Sequence, residues 1–300
     1  MDIISDTLES LRRKRGGAAE LESLVRTMKA MAASNIIQYE TAVNALEEYY
    51  RTLSLGIKAY FSQQENTAII KEPKKSDSKL IRAVVFGSDQ GLVGSFNDSL
   101  AGFVKQTLDY MPGKKEVWAV GERIYPRLCD SGLATTKLFT LPTSVKTIAP
   151  LMSLILIESD KSGETGSMDE FYIFHNAPSP GIGYAPFHQR MLPLDEKWKD
   201  EFTELTWPTK NLPQVQGNAK ATLSAIIREY LFVSLFKACV ESLASENASR
   251  LETMQRAEKN IDEMLETLNQ SYNRLRQDTI DEELFDVISG FEALKDKSEK

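Results

Sequence analysis

Apolar residues recur in alternating steps of four and three along two long stretches of this 300-residue chain, one near each end. The amino-terminal series is Tyr39, Val43, Leu46, Tyr50, Leu53, Ile57 and Tyr60. The carboxy-terminal series is Val240, Ala244, Asn247, Leu251, Met254, Glu258, Ile261, Leu265, Leu268, Tyr272 and Leu275. A side chain every 3.5 residues on average stays on one face of a helix, so each series reads as a coiled-coil seam that needs a long partner to cover it. Each stretch is the other's nearest candidate, which predicts an antiparallel pair. The first helix is expected to start at a cap on Ser5 or Asp6 and to run to about Gln63, roughly 85 Å at 1.5 Å per residue. The last is expected to start after Gly217 and to extend roughly 120 Å. Gly16 and Gly17 interrupt the first helix at a cost of about 1 kcal/mol each relative to alanine, which predicts a kink or a close backbone approach there. Asn247 and Glu258 are polar entries in the seam, and Ala32 stands where a larger residue is expected. Such positions set register, or they leave a coil less adhesive, as a shaft turning in a sleeve requires.

Between the two stretches the pattern changes. Leu80 to Phe86 is a β-branched apolar run ending at Gly87, followed by helical spacing from Phe96 to Tyr110. Glu116 to Val120 repeats the strand signal before Gly121, and a helix is expected through Ile124, Leu128 and Cys129. A further helix over about Val145 to Ser159 precedes a strand over Glu170 to Phe174. Pro178, Pro180, Gly181 and Gly183 predict a loop, Tyr184 to Leu194 a returning strand, and Trp198 to Gln216 an irregular segment. Strands alternating with helices predict a mainly parallel sheet covered by helices. The fold class is therefore α/β: a long antiparallel coiled coil of the terminal helices with an inserted Rossmann-like α/β domain. The expected divisions are a helix over 1–63, a linker over 64–79, a globular foot over 80–216 and a helix over 217–300.

Composition narrows the function. The net charge of −7 argues against a nucleic-acid footprint. The longest apolar run, Leu151 to Ile157, is far below the ~20 residues that span a bilayer. The start of the chain lacks both signal-peptide and transit-peptide layouts, which points to a bacterial cytoplasmic chain. Arg12, Arg13, Lys14 and Arg15 form a basic ring read as a solvated face, or as a contact for acidic loops of a partner. Asp281, Glu282 and Glu283 read likewise as solvated. Cys129 and Cys239 lack metal-ligand spacing and read as two small buried residues. His175 and His188 have no ligand-spaced neighbours, so no metal is expected. Residues 87–95, with Gly87, Gly91 and Gly94, stand where a phosphate loop would. They match neither G-x-G-x-x-G nor G-x-x-x-x-G-K-[ST], and read as a structural turn. No catalytic residue and no cofactor are expected. A long asymmetric shaft on a compact base can instead bias several equivalent partners differently, because each meets a different face.

Specific residues then carry a resemblance. Val25 to Ser34 (VRTMKAMAAS) resembles the amino-terminal helix motif of the γ subunit of F-type ATP synthases. Ser88 to Asn97 (SDQGLVGSFN) resembles that family's glycine-rich turn, and Glu241 to Arg250 (ESLASENASR) its last-helix signature. Asn273 to Gln277 and Ile288 to Gly290 continue the match, so the resemblance covers nearly the whole chain. It implies a central rotary stalk that couples ion flow through a membrane ring to ATP synthesis or hydrolysis, performs no chemistry and binds no cofactor. The implied partners are the α and β subunits around the paired helices, and the ε subunit and membrane c-ring at the foot, on the cytoplasmic face of the bacterial inner membrane. It also implies that Met28 and Lys29 lie near the β-subunit lever and that Arg276 and Gln277 contact a β loop. The seam residues singled out are Val43, Leu46, Leu53, Leu251, Met254, Leu265 and Leu268. The chain departs from the family pattern at Asn35, Val93, Glu122 and Asp281, which suggests a divergent branch. Two other readings stay open: a coiled-coil adaptor with an inserted α/β domain, and a nucleotide-binding enzyme.

Overall fold

The computed structural model describes residues 7–63, 80–163, 168–179, 183–194, 196–211, 213–214 and 218–298. The expected caps Ser5 and Asp6 and the expected linker 64–79 lie outside them. Helix α1 (Leu8–Gln63) and helix α6 (Ala219–Ser298) are each unbroken. At its start α1 is capped by Thr7, whose hydroxyl accepts from the Ser10 amide at 3.2 Å. Helix α6 is capped by Asn218, whose side chain accepts from the Ala221 amide at 3.3 Å. Each cap satisfies one amide that has no partner inside its helix. Gly16 and Gly17 lie within unbroken helix, and a Cβ on either would meet nothing within 4 Å. The expected close approach is therefore absent.

Between these helices come β1 (Leu80–Phe86), α2 (Phe96–Asp109), β2 (Lys114–Val120), α3 (Ile124–Asp130), β3 (Thr135–Phe139), α4 (Ile148–Gly163), β4 (Met168–Ser179), β5 (Gly183–Leu192) and α5 (Glu196–Thr203). The strands form one sheet in the order β3-β2-β1-β4-β5, parallel except for β4 with β5. Strand alternation sorts the core. Val84, Phe86, Trp118, Val120 and Ile173 face one side, with α4 and the lower parts of α1 and α6. Ile81, Ala83, Val85, Val117 and Ala119 face the other, with α2 and α3. Both faces are covered, so the parallel strands read as continuous apolar runs.

Three expectations change. Strand β3 (TTKLF) was not foreseen: Thr136 and Leu138 are exposed, and it forms one edge of the sheet. Strand β4 runs past Phe174 through Pro178 instead of giving way to a loop. Pairing with β1 ends at Val85 opposite Phe174, so Pro178 falls where β4 has only β5 beside it. A missing N–H is tolerated at such an edge. The segment expected to be irregular contains α5, whose Trp198 and Phe202 pack edge-on at 5.0 Å and both meet the Tyr230 ring.

By contact density the described residues divide into two compact units, one of residues 7–31 with 251–298, the other within 32–250.

Candidate functional site

In the larger unit, the C-terminal ends of the parallel strands are where an open α/β sheet would hold a ligand. The switch point lies between β1 and β4, where the strand order reverses. Here that crevice is filled by the chain itself. Ser242 of α6 donates to the Phe86 carbonyl at the end of β1 at 3.0 Å, and Ser249 donates to the Val93 carbonyl in the glycine-rich turn at 2.6 Å. His175 of β4 meets Glu241 of α6 at 2.8 Å. Small hydroxyl side chains let the helix backbone come close while pairing carbonyls that would otherwise be buried unsatisfied.

The turn is built to sit under that helix. A Cβ at Gly87 would stand 2.9 Å from Asn97 Oδ1 and closer still to Ile124, so the end of β1 needs a residue without a side chain. Gly94 has φ +54, in the region that favours glycine, and Leu92 joins it at φ 62. Gly91 has no neighbour within 4 Å of a would-be Cβ. Asn97 holds the turn from beneath, accepting from the Ser88 amide at 3.1 Å and donating to the Ser88 hydroxyl at 2.8 Å. The Asp89 carboxylate accepts from the Glu122 amide at 2.8 Å and the Leu141 amide at 3.0 Å, tying together the turns that follow β2 and β3. The side chains of Ser88, Asp89 and Asn97 are thus committed to holding the turn. Above it, burial pushes the Glu246 carboxyl up, and the Arg250 guanidinium, 2.7 Å away on the next turn, pulls it back.

The lower parts of the paired helices lie in the same unit. Ile57, Tyr60 and Phe61 of α1 and Leu235, Val240 and Leu243 of α6 are buried in the sheet-side core, with Val43, Tyr50 and Leu53 packed partly against it. Leu46 is half-buried. Asn247, buried in the seam, accepts from the Asn35 side chain at 3.2 Å and donates to the Leu243 carbonyl at 2.8 Å.

The smaller unit is the terminal pair of helices. On α6, Leu251, Ile261, Leu265, Leu268, Tyr272 and Leu275 are half-buried and Met254 is buried, while most residues between them are exposed. On α1 the covered positions include Leu8, Leu11, Arg15, Ala18, Glu22, Val25 and Lys29. This is the same 4-3 spacing carried on through polar and small residues. Arg15 therefore does not belong to a solvated ring with Arg12, Arg13 and Lys14. It reaches Asn269 at 3.5 Å and lies 4.8 Å over the Tyr272 ring. Glu258 accepts from Lys29 at 2.5 Å and from Arg26 at 3.2 Å, and Arg26 also reaches Glu22. The Lys29 hydrogen bond holds the Glu258 carboxyl below the usual range.

The expected contact residues separate on this frame. Lys29 faces across the coil. Met28 is half-buried and sits in line with the exposed Leu21, Leu24 and Met31, a second stripe beside the seam. Arg276 and Gln277 are exposed, roughly 27 Å further along α6 than Glu258 at 1.5 Å per residue. Arg276 and Gln277 are therefore not brought together with Met28. Past the stretch opposite the start of α1, Ile280, Leu284, Phe285, Val287 and Ile288 are exposed apolar side chains. Asp281, Glu282 and Glu283 are exposed. Cys239 is buried, but Cys129 is exposed on α3, contrary to expectation. Sequence reasoning missed the ion pair of Lys29 with Glu258 and the contacts of Arg15 with Asn269 and Tyr272. The signal that could have found them is the 4-3 spacing itself, followed through polar residues. Among the described residues no group of side chains could hold a metal ion, and no helix is long and apolar enough to cross a membrane.

Residues 7–294 match the family model described as ATP synthase. An ATP synthase gamma chain from Syntrophus aciditrophicus (strain SB) is 25% identical over 300 residues, covering 96% of this chain and 98% of its own length. One from Geobacter sp. (strain M21) is 26% identical over 295 residues, covering 96% and 99%. Among solved structures, a chain in the rotor of the Euglena gracilis mitochondrial ATP synthase superposes with a TM-score of 0.62 at 16% identity, over 91% of this chain and 98% of that one. A chain in the central stalk and c-ring of the Tetrahymena thermophila mitochondrial ATP synthase gives 0.55 at 19% identity, over 78% and 99%. Those two share the fold. With the family matched along nearly its whole length and gamma chains as its relatives across the same span, this chain belongs to the ATP synthase family.

Proposed function

We propose that this chain is the central rotary stalk of an F-type ATP synthase, turning inside a ring of α and β subunits and standing with an ε subunit on a membrane c-ring. It performs no chemistry itself, and it meets the membrane only through its partners, on the cytoplasmic face of a bacterial cell. Within it, the terminal helices act as the axle and the segment 80–216 as the foot. The observation that carries this reading is the uncovered apolar surface of the terminal helices: Leu21, Leu24 and Met31 on α1, and Ile280, Leu284, Phe285, Val287 and Ile288 on α6. A helix pair alone in water would not keep such a series exposed, whereas a smooth apolar surface suits a shaft held in a close sleeve. The filled switch-point crevice supports a non-catalytic role, since the place where this kind of sheet would hold a substrate is taken by α6.

Met28 is the residue to test, because it is half-buried in line with the exposed Leu21, Leu24 and Met31. Met28→Lys should alter the stability of the isolated chain by no more than about 0.5 kcal/mol, since it replaces a half-buried side chain with one that can reach water. In the complex reconstituted with α, β, ε and the membrane sector, ATP hydrolysis should persist while ion pumping per ATP falls several-fold. Normal pumping by the variant complex would remove Met28 from the partner surface. Failure of the tagged chain to co-purify with α and β subunits would remove the stalk reading altogether.

A further inference from the structure

The terminal pair of helices buries little. Within residues 7–31, only Leu11 and Ala18 are less than a tenth exposed, and within 251–279 only Met254 is. Three seam positions of α1, Arg15, Glu22 and Lys29, hold charges where a self-sufficient coil would hold leucine or isoleucine. By apolar area alone this pairing is weak, at about 25 cal/mol per Å² of surface removed from water. Yet the same residues form a compact unit of their own. Besides the Arg15 contacts with Asn269 and the Tyr272 ring, what holds the two helices across that seam is ionic. Glu258 takes Lys29 at 2.5 Å and Arg26 at 3.2 Å, with side-chain exposures of 18%, 35% and 60% respectively. The pairs Arg26–Glu22, Arg256–Glu252 and Lys259–Glu263, by contrast, join residues one turn apart on the same helix.

We propose that Glu258, gripping Lys29 and Arg26, is a salt-sensitive latch that keeps the terminal helices closed. It supplements an apolar seam that Arg15, Glu22 and Lys29 interrupt in this part of α1. Closure fixes where the stripe of Leu21, Leu24, Met28 and Met31 stands relative to Arg276 and Gln277, so Glu258 acts as a positioning residue for that surface without touching a partner. The latch is partly open to solvent, and its strength falls with ionic strength, because the Debye length shrinks from about 10 Å at 0.1 M salt to about 3 Å at 1 M. The inference concerns the chain by itself and holds or fails independently of the rotor reading.

Amide hydrogen exchange of the full chain tests it. Glu258→Lys should speed exchange across residues 8–31 by about tenfold or more, with β1 and β2 unchanged, because a local opening leaves the sheet alone. The reversed pair, Lys29→Glu with Glu258→Lys, should restore slow exchange to within about threefold of the parent. Raising salt to about 1 M should speed exchange in the parent, leave Glu258→Gln nearly unaffected, and slow Glu258→Lys, whose added repulsion it screens. Glu258→Gln removes the charge without adding repulsion, and it decides the matter if Glu258→Lys exchanges fast everywhere. It should speed residues 8–31 a few-fold, with β1 and β2 protected. Parent-like exchange in Glu258→Gln, or a reversed pair that stays as fast as Glu258→Lys, would overturn the latch.

Discussion

The paired helices use one spacing and two kinds of adhesion. In the larger unit, α1 and α6 bury Tyr39, Ile57, Tyr60, Tyr230, Leu235 and Val240, and the sheet supplies a third surface to pack against. In the smaller unit the same 4-3 rhythm passes through Arg15, Glu22 and Lys29, and the covered positions are mostly only half covered. Spacing determines which face turns inward, and seam content determines how tightly it holds. Coiled-coil periodicity by itself is therefore no measure of rigidity. The part anchored to the sheet gains its hold from apolar burial, while the terminal part depends on charges that water and salt can reach.

That contrast is broken most severely at Ile57, which is 0% exposed. Ile57→Asp places an unpaired carboxylate among apolar side chains and should destabilise the chain by about 4 kcal/mol or more, read as a collapse of the urea midpoint. Gly87→Ala comes next. Its new methyl must displace Ile124 at the end of β1, for a loss of about 2 to 3 kcal/mol in the same titration. Leu265→Asp should cost least, about 1 to 2 kcal/mol, because the half-buried site lets the carboxylate stay hydrated. Its loss should appear as faster amide exchange in the terminal helices with the sheet protected. Equal losses from Ile57→Asp and Leu265→Asp would mean that the two regions hold together in the same way.

Much of this could be read before any coordinates. The apolar runs Leu80 to Phe86 and Glu116 to Val120 fall within strands because a parallel sheet covered on both faces demands largely continuous apolar residues. Strand β3 could not be read that way, since an edge strand with exposed Thr136 and Leu138 carries no such run. Helix α5 was hidden by neighbouring prolines, although Trp198 and Phe202, four residues apart, mark one of its faces. The amino-terminal half of the α1 seam is not legible as an apolar series because Arg15, Glu22 and Lys29 stand in it. Cys129 was misjudged because cysteines are buried on average, while its place on α3 turns it outward.

Periodicity, glycine placement and the order of strands and helices were enough to determine two long helices and most of the sheet between them, because each of these is written in local spacing; the family followed instead from the resemblance of the motifs at Val25–Ser34, Ser88–Asn97 and Glu241–Arg250. Only the tertiary structure decided what fills the switch-point crevice, which charge answers Glu258 and where Met28 faces. Those outcomes depend on residues some two hundred positions apart meeting at hydrogen-bond distance, and such a meeting leaves no period in the chain.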